Sequence, residues 1–160
     1  MGDVSEFSLT TRLFLKAYPW RRIDPVPWTP LKKPLARCRL ALVSSAAFTL
    51  PDQPPFDETV KGGDYSFREI SSETDVKMLR QSHRSESFDP TGLLQDPNLA
   101  LPLDRVRELA ARGRIGTVNR RHLSFMGSIT APGRLIRDSA PAAAQLLVED
   151  QVNVALLVPI

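Results

Sequence analysis

The sequence has few of the residues that build disulfide frameworks or metal sites. Its 160 residues include one cysteine, Cys38, and two histidines, His83 and His122. A single cysteine excludes an internal disulfide framework and favours a reducing compartment. No apolar run approaches the length of a membrane-spanning helix, and the polar start "MGDVSEFSLTTRLF" does not resemble a signal peptide. We therefore expect a cytoplasmic protein that does not act at a membrane.

Several motifs that identify enzymes or binding proteins are also absent. The sequence has no P-loop, no G-x-G-x-x-G, no CxxC pair and no H-E-x-x-H. The formal net charge is only +3 and is spread along the chain, so we expect no nucleic-acid partner. We interpret the basic pairs as solvated surface; they are Arg21-Arg22, Lys32-Lys33 and Arg120-Arg121. A metal site made of His83, Asp89 and His122 is conceivable by residue type. Satisfied structural histidines are commoner, so we expect no metal and no cofactor.

What is present is the pattern of an α/β domain behind a proline-rich segment. Five of the fourteen prolines lie between Pro19 and Pro34, which predicts an extended Pro-rich N-terminal arm over residues 1–36, with Trp20 and Trp28 as anchors. A short helix is expected over residues 9–17. Residues 37–160 are predicted to form a three-layer α/β domain with a largely parallel sheet, Rossmann-like or flavodoxin-like.

The elements of that domain follow from hydrophobic periodicity and from capping residues. Strands are predicted near 39–45, 66–70, 115–118 and 153–158, with a short strand before His83 and "a strand or two" up to Gly127. Helices are predicted near 102–112 and 134–150. The stretch "RSESFDPTGLLQDPNLALP" is predicted to be a loop.

Polar side chains cluster at predicted strand ends and in loops. The clusters are Asp64, Arg68 and Glu69; His83, Glu86 and Asp89; Asp104 and Arg105; and His122 and Ser124. Ligands of open parallel sheets bind at the carboxyl ends of the strands. We therefore expect a pocket lined by His83, Asp89, His122 and Ser124, with Arg68 as a candidate for a bidentate contact to a substrate carboxylate.

Beyond these patterns, the chain resembles a known family. The segments "LALVSSAAF", "PPFD", "GGDYSFREI", "SHRSESFD", "DPNLALPLDRVRELAARGRIG", "HLSFMG" and "NVALLVPI" occur in the order found in the selenoprotein B family of the glycine, sarcosine, betaine and D-proline reductases. The likeness covers about Arg39 to Ile160. "GDYSFREI" and "NLALPLDRVRELAARGRIG" carry most of it.

The resemblance implies an oxidoreductase that cleaves C–N bonds reductively. In that family a selenocysteine or cysteine nucleophile follows an apolar strand that matches "NVALLVPI". Because selenocysteine is encoded by UGA, the resemblance implies a bacterial protein truncated at its own catalytic codon, with the nucleophile absent from this chain. It further implies a small amine or carboxylate substrate, partner subunits and a thiol reductant. The given chain is then expected to be inactive.

The last strand provides a structural expectation of its own. Val154, Leu156 and Val158 share one side of it, and Ala155, Leu157 and Pro159 the other. Both sides are apolar, so uncovered side chains and association into a homo-oligomer are expected if nothing follows the strand. The alternative function is a non-catalytic module that binds a small carboxylate or mediates subunit interaction.

Overall fold

The structure is a computed structural model that describes residues 4–19, 22–85 and 88–160. It divides into two compact units, Met1–Pro30 and Leu31–Ile160. In the first unit, helix α1 spans Leu9–Ala17, which confirms the predicted helix. The Ser8 hydroxyl caps it by accepting a hydrogen bond from the Thr11 N–H at 3.3 Å.

The structure does not confirm that the proline-rich segment is an extended arm anchored by its two tryptophans. Trp28 is 84% exposed, which does not support a role as an anchor, and Trp20 lies outside the described residues. The extended arm and the domain boundary after residue 36 stay predictions.

The second unit alternates short strands and helices, as the sequence predicts. Its strands are β1 (Arg39–Ser44), β2 (Phe48–Thr49), β3 (Phe67–Ser71), β4 (Arg80–Gln81), β5 (Thr117–Val118), β6 (Arg121–Phe125) and β7 (Val154–Val158). Its helices are α2 (Thr91–Gln95), α3 (Leu103–Ala111) and α4 (Ala140–Glu149), with 3-10 turns at Leu35–Arg37, Val76–Met78 and Pro97–Leu99 and a π turn at Leu135–Ser139. None of the helices in the described ranges is both long and apolar enough to cross a membrane.

Strand β1 is the centre of the main sheet. On one side it pairs in parallel with β7, from Leu40↔Val154 to Ser44↔Val158. On the other side it pairs in parallel with β5 and then β6, while β3 pairs antiparallel to β6. Strands β2 and β4 form a separate antiparallel pair. The mixed α/β class with a mostly parallel sheet is therefore confirmed. The three-layer Rossmann-like or flavodoxin-like arrangement stays a prediction.

Between β5 and β6 the chain bends at Asn119 and Arg120, and this bend interrupts the pairing along that side of β1. At this break the N–H of Leu42 donates to Nδ1 of His122, 3.0 Å away. A side chain thus replaces the carbonyl oxygen that an unbroken parallel ladder would supply.

Apolar side chains from both faces of β1 enter the core. Leu40 and Leu42 pack with Leu103 and Val106 of α3. Val43 belongs to a second cluster that includes Ala143 of α4. Alternation along the strand sends successive side chains to opposite faces. Complete burial of a residue such as Leu42 contributes about 1.5–3 kcal/mol.

Strand β7 lies at the edge of the sheet, because within the described residues it pairs with β1 alone. An apolar run of this kind is typical of an interior strand of a parallel sheet, but here β1 and not β7 is central. The expected exposure is present: Leu156 is 42% exposed and Leu157 is 70% exposed. Both faces of β7 thus keep apolar surface in contact with solvent.

Candidate functional site at the carboxyl edge of the sheet

The parallel strands β1, β6 and β7 all end at one edge of the sheet. Ser45, directly after β1, joins two of these ends. Its hydroxyl accepts a hydrogen bond from the N–H of Ile160 at 2.8 Å, and its own N–H donates to the carbonyl of Val158 at 3.2 Å. The chain beyond β7 is therefore held against the end of β1, at the edge where open parallel sheets bind ligands.

Gly127, two residues after β6, completes this edge. A Cβ built on it would lie 2.7 Å from the Ser45 carbonyl oxygen, 2.9 Å from His83 Nε2 and 3.2 Å from the Ile160 carbonyl oxygen. Such approaches are closer than van der Waals contact allows, so only glycine fits here. Because Gly127 has no side chain, His83 can lie close to the end of β7.

The hydrogen bonds of His83 indicate which ring nitrogen carries the proton. Nδ1 accepts a hydrogen bond from the Ser85 N–H at 3.2 Å, so the neutral imidazole is protonated at Nε2. Partial burial lowers the pKa of His83, and its ring lies 4.4 Å from the Phe88 ring, centroid to centroid. His83 is thus a neutral imidazole near pH 7, and its Nε2–H lies beside Gly127 and Ile160.

An apolar groove of about 490 Å³ adjoins this edge. It is formed by the ends of β1, β6 and β7 and by one side of α4; its apolar lining includes Val43, Phe125, Met126, Leu147, Ala155 and Leu157. Most drug-sized ligands occupy pockets of about 300–1,000 Å³. The groove could therefore hold a small molecule or an apolar protein segment.

The predicted site residues His122 and Ser124 are buried within the sheet. Both are 0% exposed, and neither His122 Nε2 nor the Ser124 hydroxyl has a hydrogen-bond partner in the described part of the chain. Burial, followed by the positive charge of Arg107, lowers the pKa of His122 to about 4. His122 is therefore a neutral structural histidine whose Nδ1 completes the β1 ladder.

Arg68 lies in β3, and its side chain is bound to the loop that precedes this strand. Its Nε donates to the Pro54 carbonyl at 2.9 Å, one terminal nitrogen donates to the Pro55 carbonyl at 3.0 Å, and the other donates to the Ser66 hydroxyl at 2.8 Å. The guanidinium also lies 4.3 Å from the centroid of the Phe56 ring. A bidentate contact to a substrate carboxylate would require some of these bonds to break, so the contacts favour a loop-anchoring role.

Asp64 supports the same loop. It lies 3.9 Å from Arg68, and its carboxylate accepts hydrogen bonds from the N–H groups of Asp57 and Ser66, each at 2.8 Å. Burial would raise the pKa of Asp64, but a hydrogen bond from the Ser66 hydroxyl at 2.6 Å, the two backbone hydrogen bonds and the charge of Arg68 lower it overall. The "GGDYSFREI" segment is therefore a rigid structural unit.

Asp89 is exposed and accepts a hydrogen bond from the Thr91 N–H at 2.9 Å, just before α2. Its hydrogen bonds with Thr91 lower the pKa of Asp89. Glu86, from the same predicted cluster, lies outside the described residues. Within residues 4–19, 22–85 and 88–160, no group of three His, Cys, Asp or Glu side chains could hold a metal ion.

The structure pairs two of the five predicted residues, because Arg68 of β3 lies opposite Ser124 of β6 in the antiparallel ladder. Within the described residues, no side-chain hydrogen bond or ion pair links any two of Arg68, His83, Asp89, His122 and Ser124. The proposal that they line one pocket stays a prediction. Of these five, His83 lies close to Gly127, and Ser124 is paired with Ser44 at the end of β1.

The buried carboxylate of Asp150 is the centre of an ion cluster that no pattern in the sequence predicts. Arg121 donates to both carboxylate oxygens of Asp150, at 2.7 and 3.0 Å, and Asn119 adds a hydrogen bond at 2.9 Å. Burial would raise the pKa of Asp150, but the hydrogen bonds from Arg121 and Asn119 and the charges of Arg121 and Arg120 lower it to about 2. Arg121 is a partly buried structural residue, which corrects its interpretation as solvated surface.

Comparisons with known proteins agree with the resemblance. The family model described as glycine/sarcosine/betaine reductase selenoprotein B matches residues 8–159. The chain is 31% identical over 136 residues to a D-proline reductase subunit gamma of Acetoanaerobium sticklandii, covering 84% of this chain and 54% of that protein. It is 26% identical over 155 residues to a sarcosine reductase complex component B subunit beta of Peptoclostridium acidaminophilum, covering 97% and 35% of the two chains.

A glycine reductase complex component B subunit gamma of Carboxydothermus hydrogenoformans is 28% identical over 139 residues, covering 83% of this chain and 31% of that protein. The chain therefore spans between about a third and about half of the length of these relatives. No solved structure matches. On the match of the family model to residues 8–159, the chain belongs to the glycine/sarcosine/betaine reductase selenoprotein B family.

Proposed function

We propose that this chain is part of a reductase-complex subunit whose selenocysteine or cysteine nucleophile follows directly after Ile160. The relatives are named as subunits of D-proline, sarcosine and glycine reductases, which supports a role within such a complex. The single observation that carries the proposal is the end of β7. There Ile160 is held by Ser45 beside the bare Cα of Gly127 and Nε2 of His83.

The proposed reaction is reductive C–N cleavage in a small amine that carries a carboxylate. The nucleophile donates an electron pair to the carbon, and the C–N electron pair leaves with the nitrogen, which takes up a proton. A thiol reductant and partner subunits then supply the two electrons and the protons that release the carbon fragment and regenerate the nucleophile. A nucleophile at a strand end that precedes a helix N-terminus has a lowered pKa, which favours its reactive anion.

His83 has a defined role in this proposal. Its pKa is lowered by burial, so it remains neutral near pH 7 and keeps its proton on Nε2. The neutral imidazole carries its Nε2–H at the end of β7. From there it can donate a hydrogen bond to an anionic nucleophile, or to the substrate carboxylate, while it keeps its own proton. This makes His83 a stabiliser of negative charge and not a general base.

The test is an extended chain with a cysteine codon directly after Ile160 and the downstream reading frame restored. We expect its new thiol to be alkylated by iodoacetamide with a pKa below the ordinary value of about 8.5. With the partner subunits added, we also expect dithiol-dependent release of ammonia or an amine, or ring opening, from glycine, sarcosine, betaine or D-proline. Cys38 is 0% exposed, and a Cys38→Ala background removes its contribution.

The matched control replaces the new cysteine with serine, which should abolish both signals. His83→Leu should raise the thiol pKa, whereas His83→Gln, which keeps a side-chain N–H, should raise it less. An ordinary thiol pKa together with no turnover of any of the four substrates would contradict the proposal.

The alternative proposal is a non-catalytic module that mediates subunit interaction or binds a small carboxylate. It is favoured by the exposed apolar edge, where Leu157 is 70% exposed beside the groove. Reading the codon after Ile160 distinguishes the two proposals. An in-frame UGA followed by an open frame supports the reductase subunit, and UAA or UAG supports the module.

The longer protein is further proposed to complete a three-layer, Rossmann-like or flavodoxin-like domain in the cytoplasm, behind the Pro-rich arm of residues 1–36. A second α/β segment would cover β7, whose faces both carry exposed apolar side chains. A structure of the extended chain in which Leu157 stays exposed would contradict this arrangement.

A further inference from the structure

A polar pocket of about 390 Å³ lies at the opposite edge of the sheet, where β1, β5 and β7 begin. It is lined by Lys33, Arg37, Arg39, Thr117, Gln151 and Asn153. Parallel strands start and end at opposite edges, so this pocket is separate from the site at Gly127 and His83. Neither the proposed reaction nor the apolar groove uses any of its residues.

Hydrogen bonds of the main chain and of one buried thiol make the frame of this pocket rigid. The Cys38 thiol donates to the carbonyls of Lys33 and Pro34, at 3.6 and 3.4 Å, and so fixes the turn that carries Lys33. A Cβ on Gly116 would lie 2.7 Å from the carbonyl carbon of Arg37. The segment before Thr117 is therefore packed directly against the Arg37 backbone.

Asn153 joins the third side of the pocket to β1. Its side-chain oxygen accepts the Arg39 N–H at 2.9 Å, and its own N–H donates to the Arg39 carbonyl at 2.9 Å. The Arg39 guanidinium donates to the carbonyl oxygen of Asp150, which places a positive charge at the pocket. The turn at Lys33, the segment before Thr117 and the segment at Asn153 are thus held in place without a ligand.

The charge of the pocket is entirely positive. Three of its lining side chains are cations and none is a carboxylate. Lys33 and Arg37 make no ion pair with any acid in the described part of the chain. The carboxylate of nearby Asp150 is already occupied by Arg120 and Arg121, so it does not neutralise them.

We propose that this pocket binds a small multivalent oxyanion of the phosphate class. Guanidinium groups match phosphate oxygens by paired hydrogen bonds, and lysine adds a compact charge. The Asn153 and Gln151 amides and the Thr117 hydroxyl supply neutral donors. A volume of about 390 Å³ is within the range of small-molecule sites, and its concave shape favours a small anion over a flat protein surface. This proposal does not rest on the proposed reductase function.

The test titrates the full 160-residue chain with inorganic phosphate and follows the amide resonances of Gly116, Thr117 and Asn153 by NMR. A parallel titration with sodium chloride at equal ionic strength controls for screening. We expect saturable shifts with phosphate that chloride does not produce. Glycerol phosphate is a second arm: tighter binding of the ester identifies a phosphate monoester as the ligand, and equal binding identifies free phosphate.

The variant is the double substitution Lys33→Gln with Arg37→Gln, which should weaken phosphate affinity by about tenfold. Both side chains are exposed, so the fold should be retained, as far-UV circular dichroism can verify. The control is Arg105→Gln, which removes an exposed charge outside the pocket and should leave affinity within about twofold. Shifts that match those in chloride, or that are unchanged in the double variant, would overturn the proposal.

Discussion

His122 allows a direct test of whether a predicted site residue is structural. The side chain is 0% exposed, its Nδ1 accepts the N–H of Leu42 at 3.0 Å, and burial lowers its pKa to about 4. In the unfolded chain the pKa returns to about 6.5. The unfolded state therefore binds a proton at a higher pH than the folded state does.

The sign of the pH dependence follows from that difference. Above pH 6.5 both states are neutral at His122, and its contribution to stability is complete. As the pH falls from 6.5 towards 4, only the unfolded state gains the proton, so the free energy of unfolding decreases. The slope is about 1.4 kcal/mol per pH unit, and the total loss is about 3 kcal/mol.

Two substitutions distinguish the loss of the hydrogen-bond acceptor from the loss of the titrating imidazole. His122→Asn keeps an acceptor near the position of Nδ1, whereas His122→Ala leaves the Leu42 N–H buried and unpaired. We expect His122→Ala to lose about 2–4 kcal/mol at pH 7.5 through the unpaired N–H and the cavity, and His122→Asn to lose less. The assay is urea unfolding of the three proteins at several pH values between 4 and 7.5.

The difference in unfolding free energy between the wild type and His122→Asn isolates this residue, because the carboxylates titrate in both proteins. The free energy of unfolding of the wild type, minus that of His122→Asn, should fall by about 3 kcal/mol between pH 7 and pH 4, and it becomes negative where it is smaller than that at pH 7. A difference that stays constant over this range would refute the assignment of a neutral buried histidine. Equal destabilisation by Asn and Ala would refute the role of Nδ1 in the β1 ladder.

Three further outcomes are expected. Asp150→Asn should destabilise the fold by about 2–3 kcal/mol in denaturant unfolding because it removes the buried carboxylate that pairs with the partly buried Arg121, whereas Asp138→Asn, at an exposed pair, should leave the free energy of unfolding nearly unchanged. Gly127→Ala should cost about 1–3 kcal/mol by displacing its close neighbours, and it should move the NMR titration of His83; an unmoved titration would contradict the close approach. Arg68→Met should lower the melting temperature through the lost loop contacts, whereas a purely substrate-binding Arg68 would leave the melting temperature unchanged.

Periodicity predicted the longer elements well, because each has a clear apolar pattern: a stripe along one side of a helix, or a continuous apolar run in a buried strand. Helix α3 and strand β1 lie where the sequence predicts them. The five-residue helix α2 was predicted to be a loop, which is wrong. Such a short helix has only one clear apolar anchor, Leu93, which is 7% exposed, and one buried side chain is too weak a pattern to separate a helix from a loop.

The candidate site was harder to predict, because its geometry depends on contacts between distant segments. Residues 45, 83, 127 and 160 meet at one edge, yet only His83 has a chemically distinctive side chain. Gly127 acts through the absence of a side chain, and Ser45 through one hydrogen bond to a residue 115 positions away. Arg121 looked like a solvated cation because its partner, Asp150, is distant in sequence. No local pattern marks such long-range pairs.

The open edge of β7 and the chemistry proposed for His83 depend on each other. The groove reaches Gly127 and the last residues of β7, and Gly127 also adjoins His83 Nε2. Any element that covers the groove, whether a continuation of the chain or a partner subunit, also removes water from this corner. Lower local polarity strengthens a hydrogen bond from Nε2–H to an anion and further lowers the pKa of the imidazole. The covering element would therefore shield β7 from solvent and strengthen the proposed hydrogen bond of His83 in the same step.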